Sequence, residues 1–127
     1  MAFIERTVFD SDHEIFRDTV RRFVEEEIAP YHAQWEKDGM ISREAWLKAG
    51  KLGLLCASMP EEYGGGGVDR TYSIVLLEEL ARAGATGPGF GLHSEIVAPY
   101  INRYGSEEQK RKFLTKMATG ESIGAIA

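Results

Sequence analysis

Residues 71–83, TYSIVLLEELARA, are the stretch that decides the fold of this chain. Its apolar side chains cover nearly the whole circumference of a helix, which predicts a helix that lies in the middle of the fold. Asp69 or Thr71 can begin this helix, and Gly84 ends it. Glu78 and Glu79 interrupt the apolar surface. We expect one of these carboxylates to be partly buried and to form an ion pair, with Arg82 as a candidate partner.

Amphipathic helices are predicted on both sides of this central helix. Residues 15–28 carry apolar side chains in pairs at helical spacing, and Ser11 or Asp12 can cap the helix that contains them. Further helices are predicted over residues 31–37, 42–52, 92–104 and 107–119, bounded by Pro30, Ser42, Ser106 and a series of glycines. The predicted fold is therefore all-α, a compact bundle of about six helices.

The composition excludes several classes of function. The chain has 127 residues and a net charge of −5, which argues against a nucleic-acid partner because phosphate binding needs a basic surface. No apolar run reaches the roughly 18 residues of a membrane span. The first residues do not have the pattern of a signal peptide, so we expect a cytoplasmic location. Cys56 is the single cysteine, and its apolar neighbours predict a buried structural thiol.

The glycine-rich loops and the histidines give no independent active site. Residues 64–67 and 84–91 lack the strand, spacing and Lys-Ser/Thr of phosphate-binding loops, so we interpret them as turns that bring backbone close to another surface. None of the three histidines has a histidine partner three or four residues away, so no helical metal pair is predicted. His13 and His32 are expected at the surface. His93, Ser94 and Glu95 cannot form a triad, because adjacent helical residues point in different directions.

The last residues have the pattern of a different kind of element. Residues 120–127, GESIGAIA, alternate small and apolar side chains, as in a β-strand that has just begun. A lone strand leaves its backbone N–H and C=O groups without partners. We therefore expect a helical domain over residues 1–121 and the first strand of a truncated β domain over residues 122–127. A free-standing helical interaction module is the alternative.

Several segments, in one register, resemble the acyl-CoA dehydrogenase family. Residues 60–69, PEEYGGGGVD, are similar to the family signature P-E-x-Y-G-G-x-G-x-D. Residues 104–110, YGSEEQK, resemble the turn Y-G-[ST]-x-x-Q-[KR], and Glu78-Glu79-Leu80-Ala81 follows the first signature at the family's distance. The match covers about residues 9–127. One departure is Thr115, which stands where the family has a proline after Phe113-Leu114.

The resemblance implies a flavoprotein with an N-terminal helical domain, a middle β domain and a C-terminal helical bundle. Such enzymes remove the α-proton and the β-hydride of an acyl-CoA, which gives a trans-2-enoyl-CoA and reduced FAD. The glutamate base and the main FAD-binding stretch are implied to lie outside this chain. No catalytic residue is therefore expected here, and the fragment alone is expected to be inactive. An acyl-CoA oxidase or another flavin-dependent member of the superfamily is an alternative.

The resemblance also implies a set of site residues and partners. Residues 86–97 align with the segment that forms one wall of the acyl pocket, and the candidates are Phe90, His93, Ser94, Ile96 and Val97. The backbone of Ile126 and Ala127 is implied to touch FAD in the intact protein. The alternative, that the five pocket candidates close the helical core, stays open. The implied partners are acyl-CoA, an electron-transfer flavoprotein or similar acceptor for the intact enzyme, and further copies of the chain. From the composition and the residues we expect no nucleic-acid, membrane or metal partner.

Overall fold

The computed structural model describes residues 4–127, and the prediction of an all-α fold is confirmed there. The α-helices in this range are α1 (Ser11–Phe23), α2 (Ala29–Asp38), α3 (Arg43–Lys51), α4 (Thr71–Arg82), α5 (Ala98–Tyr104) and α6 (Glu107–Thr119). Two π-helical segments, Val24–Ile28 and Leu92–Val97, run directly into α2 and α5, and a short 3₁₀ turn spans Glu61–Tyr63. Residues 123–127 form no strand within the described range, so the strand at 122–127 stays a prediction. No helix between residues 4 and 127 has the length and apolarity to cross a membrane.

The core consists of two clusters that meet at the segment between α3 and the 3₁₀ turn. Leu54 and Leu55 belong to the first cluster, with apolar residues of α1, the first π segment, α3 and α4. Cys56 and Met59 belong to the second cluster, which includes Leu114 and other residues of α6. Because this segment contributes buried side chains to both clusters, it fixes them against each other. Burial of one large aliphatic side chain stabilises a fold by about 1.5–3 kcal/mol.

The central position predicted for α4 is correct on one face only. Val75, Leu76 and Leu80 are buried, and α4 packs chiefly against α1. Ile74 and Leu77, on the opposite face, are 45% and 42% exposed. The expectation of a helix surrounded on all sides is therefore wrong, because the described residues cover the second face only in part.

The helix ends follow the capping rules, with one shift in position. Asp10, rather than Ser11 or Asp12, caps α1, and its carboxylate accepts the N–H groups of Asp12 and His13. Ser106 and Gln109 form the reciprocal capping box of α6. Gly120 ends α6 with φ 81°, in the left-handed region that favours glycine.

Each π segment ends two residues before a proline, Pro30 in the first case and Pro99 in the second. A proline inside a helix has no N–H to donate, and its ring collides with the carbonyl group four residues before it. A wider turn relieves this collision, and π segments are a known response to such an interruption. In the second segment the N–H of Ala98 donates to the carbonyl of His93, five residues back.

His13 corrects the prediction that this residue lies at the surface. Its side chain is only 7% exposed, since its ring stacks on Tyr72 with a centroid distance of 4.2 Å. The Nε2 atom lies 2.6 Å from Oγ1 of Thr71, and the Nδ1 atom accepts the N–H of Asp10. The imidazole thus fixes the start of α1 against the start of α4.

Glu79 confirms the prediction of a buried, paired carboxylate on α4. Its side chain is 3% exposed, and it accepts hydrogen bonds of 3.0–3.2 Å from Arg17, Arg21 and Arg82. The hydrogen bonds from Arg21 are the largest cause that lowers the pKa of this carboxyl, from 4.5 to about 2. The network is larger than the single Arg82 pair that the sequence indicated, because α1 brings two further arginines to the same carboxylate.

Candidate functional site

Residues 92–104, the second π segment with α5, carry an exposed apolar surface. Leu92, Ile96 and Tyr100 stand four residues apart and are 40%, 43% and 63% exposed. We call these three residues the ridge. The helix begins directly after the loop of residues 84–91, where Gly91 allows close packing. A Cβ atom on Gly91 would lie 2.9 Å from Cδ2 of Leu77, so the helix starts in contact with the side chain of Leu77 on α4.

Three of the pocket candidates lie on the opposite side of this helix, one of them in the turn that leads into it, and all three are buried. Phe90 has no exposed surface and meets the Trp46 ring edge-on, with a centroid distance of 4.7 Å. Ser94 is 2% exposed, and its Oγ accepts the backbone N–H of Cys56 at 2.9 Å. Phe90, Ser94 and the fully buried His93 therefore pack inside this part of the chain, behind the ridge.

The imidazole of His93 has two backbone partners that fix its tautomer. Its Nε2 atom lies 2.9 Å from the carbonyl oxygen of Met117, and its Nδ1 atom lies 2.9 Å from the backbone nitrogen of Gly124. A carbonyl can only accept and a backbone N–H can only donate, so Nε2 carries the proton and Nδ1 accepts. Burial lowers the pKa of this imidazole, and the bond to Met117 opposes that effect in part. The ring is thus neutral at pH 7.

The terminal segment, residues 121–127, lies against this helix at His93 and Val97. Gly124 lies so close to it that a Cβ atom there would come within 2.9 Å of Cγ1 of Val97 and of Cε of Met117. Val97 is partly buried and also packs against the second core cluster. Ile126 is 57% exposed and Ala127 is exposed. Within residues 4–127, the backbone groups of residues 125–127 make no hydrogen bond, so they are free to contact another molecule or domain.

Two grooves continue the ridge along α5. The first has a volume of about 260 Å³ and lies between Ile96, Tyr100 and Tyr104, with Arg70, Glu95, Pro99 and Arg103 as its further lining. The second, of about 440 Å³, lies between α5 and α6. Tyr100 and Tyr104 line both grooves, and Phe113 lines the second. The exposed face of this helix is therefore an aromatic and aliphatic surface with a few charged groups.

Two other candidate features have a structural role in the described residues. Cys56 is fully buried, and burial raises the pKa of its thiol to about 12, so no thiolate is available as a nucleophile. The loop of residues 64–67 folds back on its own preceding segment, where a Cβ on Gly65 would lie 2.2 Å from the carbonyl oxygen of Met59. The close backbone approach predicted for this loop is thus confirmed. Between residues 4 and 127, no group of three or more His, Cys, Asp or Glu side chains is arranged to hold a metal ion.

The site residues implied by the resemblance stay a prediction, and the structure shows further exposed apolar residues on the same helix. Leu92 and Tyr100 were not among the candidates, although their spacing of four residues from Ile96 was a visible signal. Gly124 was also missed. A glycine inside an alternating run indicates close backbone contact, and that signal was present in residues 120–127.

The comparisons with known proteins agree with one another. A sequence profile described as "Acyl-CoA dehydrogenase, N-terminal domain" matches residues 10–121. The long-chain specific acyl-CoA dehydrogenase of Sus scrofa is 53% identical over 122 residues, which cover 96% of this chain and 28% of that protein. A crystal structure of acyl-CoA dehydrogenase from Geobacillus kaustophilus has a TM-score of 0.89 and 45% identity, and covers 94% of this chain and 31% of that one. Another from Bacillus anthracis, complexed with FAD, has a TM-score of 0.85 and 36% identity, with 94% and 21% covered.

These comparisons overturn one expectation and limit the others. The predicted cytoplasmic location is wrong, because the porcine relative and others are named as mitochondrial enzymes. That expectation depended on the missing pattern of a signal peptide, and such an absence does not indicate a compartment. The chain spans 28% of the length of the porcine protein. The activity in that protein's name therefore belongs to a much longer polypeptide than this chain.

Proposed function

This chain belongs to the acyl-CoA dehydrogenase family, as its N-terminal domain, and on that premise we propose that it forms one wall of the acyl site of an FAD-dependent acyl-CoA dehydrogenase. The whole enzyme removes the α-proton and β-hydride of an acyl-CoA and gives a trans-2-enoyl-CoA. The catalytic base and most of the FAD site belong to the rest of the protein, so the chain alone is inactive. Residues 1–121 are the helical domain, and residues 122–127 begin the β domain.

One observation carries this proposal, the exposed ridge of Leu92, Ile96 and Tyr100 on a helix that also contacts the terminal segment through Val97. An alkyl chain in contact with such a surface gains about 0.8 kcal/mol for each CH₂ group that it buries. An exposed apolar patch on a folded domain commonly marks a binding surface, and π-helical turns occur often at functional sites. In this proposal the ridge contacts the acyl chain, while Phe90, His93 and Ser94 support it from behind.

The terminal segment fits a contact with the flavin through its backbone. Ile126 and Ala127 are exposed, and the small side chains of Ala125 and Ala127 leave room for a flat ring. FAD, when bound, accepts the hydride from the β-carbon of the substrate. The role of this chain is to hold that backbone beside the ridge, so that the acyl chain and the flavin meet at one place.

The proposal extends to the partners and the pathway. A reduced flavin must pass two electrons on, and we assign this step to an electron-transfer flavoprotein within fatty acid metabolism. The face of α4 with Ile74 and Leu77 is exposed, as is the ridge, and such surfaces are covered by the remaining domains or by further copies in a homo-oligomer. Transfer of the electrons to oxygen instead would identify the oxidase alternative.

The test compares the full-length protein with the 127-residue chain. Both are assayed with FAD and an artificial electron acceptor over a series of acyl-CoAs of increasing length. Activity in the full-length protein alone supports the proposal. Absence of activity in both contradicts it, and rapid turnover with oxygen alone identifies the oxidase.

Ile96→Trp tests the ridge itself. The larger side chain fills space along the ridge, and loss of contact with two or three CH₂ groups costs about 2 kcal/mol. We expect kcat/KM to fall roughly 30-fold for long acyl chains and far less for short ones. Leu47→Trp is the matched control, since Leu47 is similarly exposed (41%) but lies on α3. Equal effects of the two substitutions on long-chain substrates would remove the ridge from the proposal.

A further inference from the structure

His93 connects three separate parts of the chain. It lies on the helix that carries the ridge, it donates from Nε2 to the carbonyl of Met117 in α6, and it accepts at Nδ1 from the N–H of Gly124. The side chain has no exposed surface, so water does not compete for either bond. An imidazole offers one donor and one acceptor in roughly opposite directions, and that is what this position requires.

A second constraint acts on the same point of the terminal segment. Gly124 has no side chain, and a Cβ atom there would come within 2.9 Å of both Val97 and Met117. The terminal segment is thus held at Gly124 in two ways, by close packing against Val97 and Met117 and by the hydrogen bond to Nδ1 of His93. The next hydrogen bond toward the start of the segment is from the N–H of Ser122 to the carbonyl of Lys116. Beyond Gly124, no hydrogen bond holds the segment to residues 4–123, so His93 is its last anchor before Ile126 and Ala127.

We propose that His93 is a positioning residue that sets the distance between the ridge and the backbone of Ile126 and Ala127. This inference rests on the proposed function, in which the ridge contacts the acyl chain and that backbone contacts the flavin. His93 touches neither group. It acts through Gly124, and loss of the Nδ1 bond lets the terminal segment move relative to the helix behind the ridge.

Two substitutions separate the two hydrogen bonds. In His93→Asn the amide oxygen stands near the place of Nδ1 and can accept from Gly124, but the bond to Met117 is lost. In His93→Gln the amide nitrogen reaches the place of Nε2 and can donate to Met117, but the bond to Gly124 is lost. Both variants shorten or change the same buried side chain, so a general loss of packing affects both. His32→Gln is the control, because His32 also accepts a backbone N–H, from Gly87, in a distant loop.

The measurement is amide hydrogen exchange of residues 121–127 in the full-length flavoprotein, with kcat and KM measured on the same samples. We expect at least 10-fold faster exchange at Gly124 in His93→Gln, near-normal exchange in His93→Asn, and no change in His32→Gln. We also expect His93→Gln to lower kcat about 10-fold with a smaller effect on KM. In the proposed enzyme the terminal segment contacts the flavin, where the reaction occurs, and not the acyl chain.

The result that overturns the inference is equal behaviour of the two variants. Unchanged exchange at Gly124 in His93→Gln would show that the bond does not hold the segment. Faster exchange in both variants across α6 and the core would show a general structural role. If the wild-type protein has no dehydrogenase activity, the proposed function fails, while the exchange at Gly124 still reports whether His93 holds the segment.

Discussion

Replacement of Glu79 by glutamine tests the main charge network of the fold. The substitution keeps the shape of the side chain and removes its charge. Glu79 is 3% exposed and accepts hydrogen bonds from Arg17, Arg21 and Arg82. Arg17 is itself only 10% exposed, so loss of the carboxylate leaves a buried guanidinium with only Glu78 and the exposed Glu14 as ion-pair partners. Removal of one partner of a buried ion pair is strongly destabilising for this reason.

The expected magnitude follows from the pKa of Glu79. Its value falls from 4.5 to about 2 in the folded chain. At about 1.4 kcal/mol per pKa unit, the charged carboxylate stabilises the fold by roughly 3 kcal/mol at neutral pH. Arg21 and Arg82 are 38% and 57% exposed, so solvent screens part of this interaction. We therefore expect Glu79→Gln to lower the free energy of unfolding by about 2–3 kcal/mol.

The pH dependence has a definite sign. Because the folded pKa is lower than the unfolded value, the unfolded chain takes up the proton first as the pH falls. The stabilisation from Glu79 is complete above about pH 5 and disappears as the pH falls from 4.5 through about 2. In Glu79→Gln this component is absent. We therefore expect the difference between wild type and variant to shrink over that range.

Urea unfolding of the chain, followed by tryptophan fluorescence and far-UV circular dichroism, measures the effect. Glu78→Gln is the matched control, since the neighbouring carboxylate pairs with Arg6 and Arg17 but is 32% exposed. Partly exposed pairs contribute about 0–1 kcal/mol, so this control should cost less than 1 kcal/mol. Equal losses for the two variants, or a loss below about 0.5 kcal/mol for Glu79→Gln, would refute the reasoning.

Two further predictions concern the backbone and the single thiol. Gly120→Ala is expected to destabilise the chain by several kcal/mol, because φ is 81° and a Cβ would lie 2.3 Å from the carbonyl oxygen of Trp46. Gly39→Ala, with φ 77° and open space around it, should cost only about 1–2 kcal/mol, and equal shifts of the urea midpoint would contradict this account. Cys56 should not react with a thiol reagent at pH 8 until the chain is unfolded, since it is fully buried and its pKa is about 12. Immediate labelling of the folded chain would contradict the burial of this thiol. The free energy of unfolding should also fall as the pH rises from 9 toward 12, because the thiol ionises first in the unfolded chain.

The helices could be predicted from sequence because their signals are local. The capping box of Ser106 and Gln109 and the stop at Gly120 are set by residues within one turn of the helix end. The π segments could not be predicted from the spacing of apolar residues. That spacing indicates which face of a helix is buried, but it does not determine which carbonyl accepts each backbone N–H. The available signal was a repeated tripeptide, since Ala-Pro-Tyr occurs at residues 29–31 and again at 98–100, directly after each π segment.

The site could be predicted only as a segment, because the direction of a side chain depends on distant partners. The family resemblance implied His93 and Ser94 as pocket residues, yet both are buried within this chain. Their hydrogen-bond partners Met117, Gly124 and Cys56 lie 24, 31 and 38 residues away in the sequence. Buried polar groups need such partners, and here they join segments that are far apart in sequence. The apolar Ile96, in contrast, is exposed. In residues 92–97 of this domain, the buried polar side chains of His93 and Ser94 form hydrogen bonds to distant segments. The exposed apolar side chains form the surface that contacts the acyl chain in the proposed enzyme.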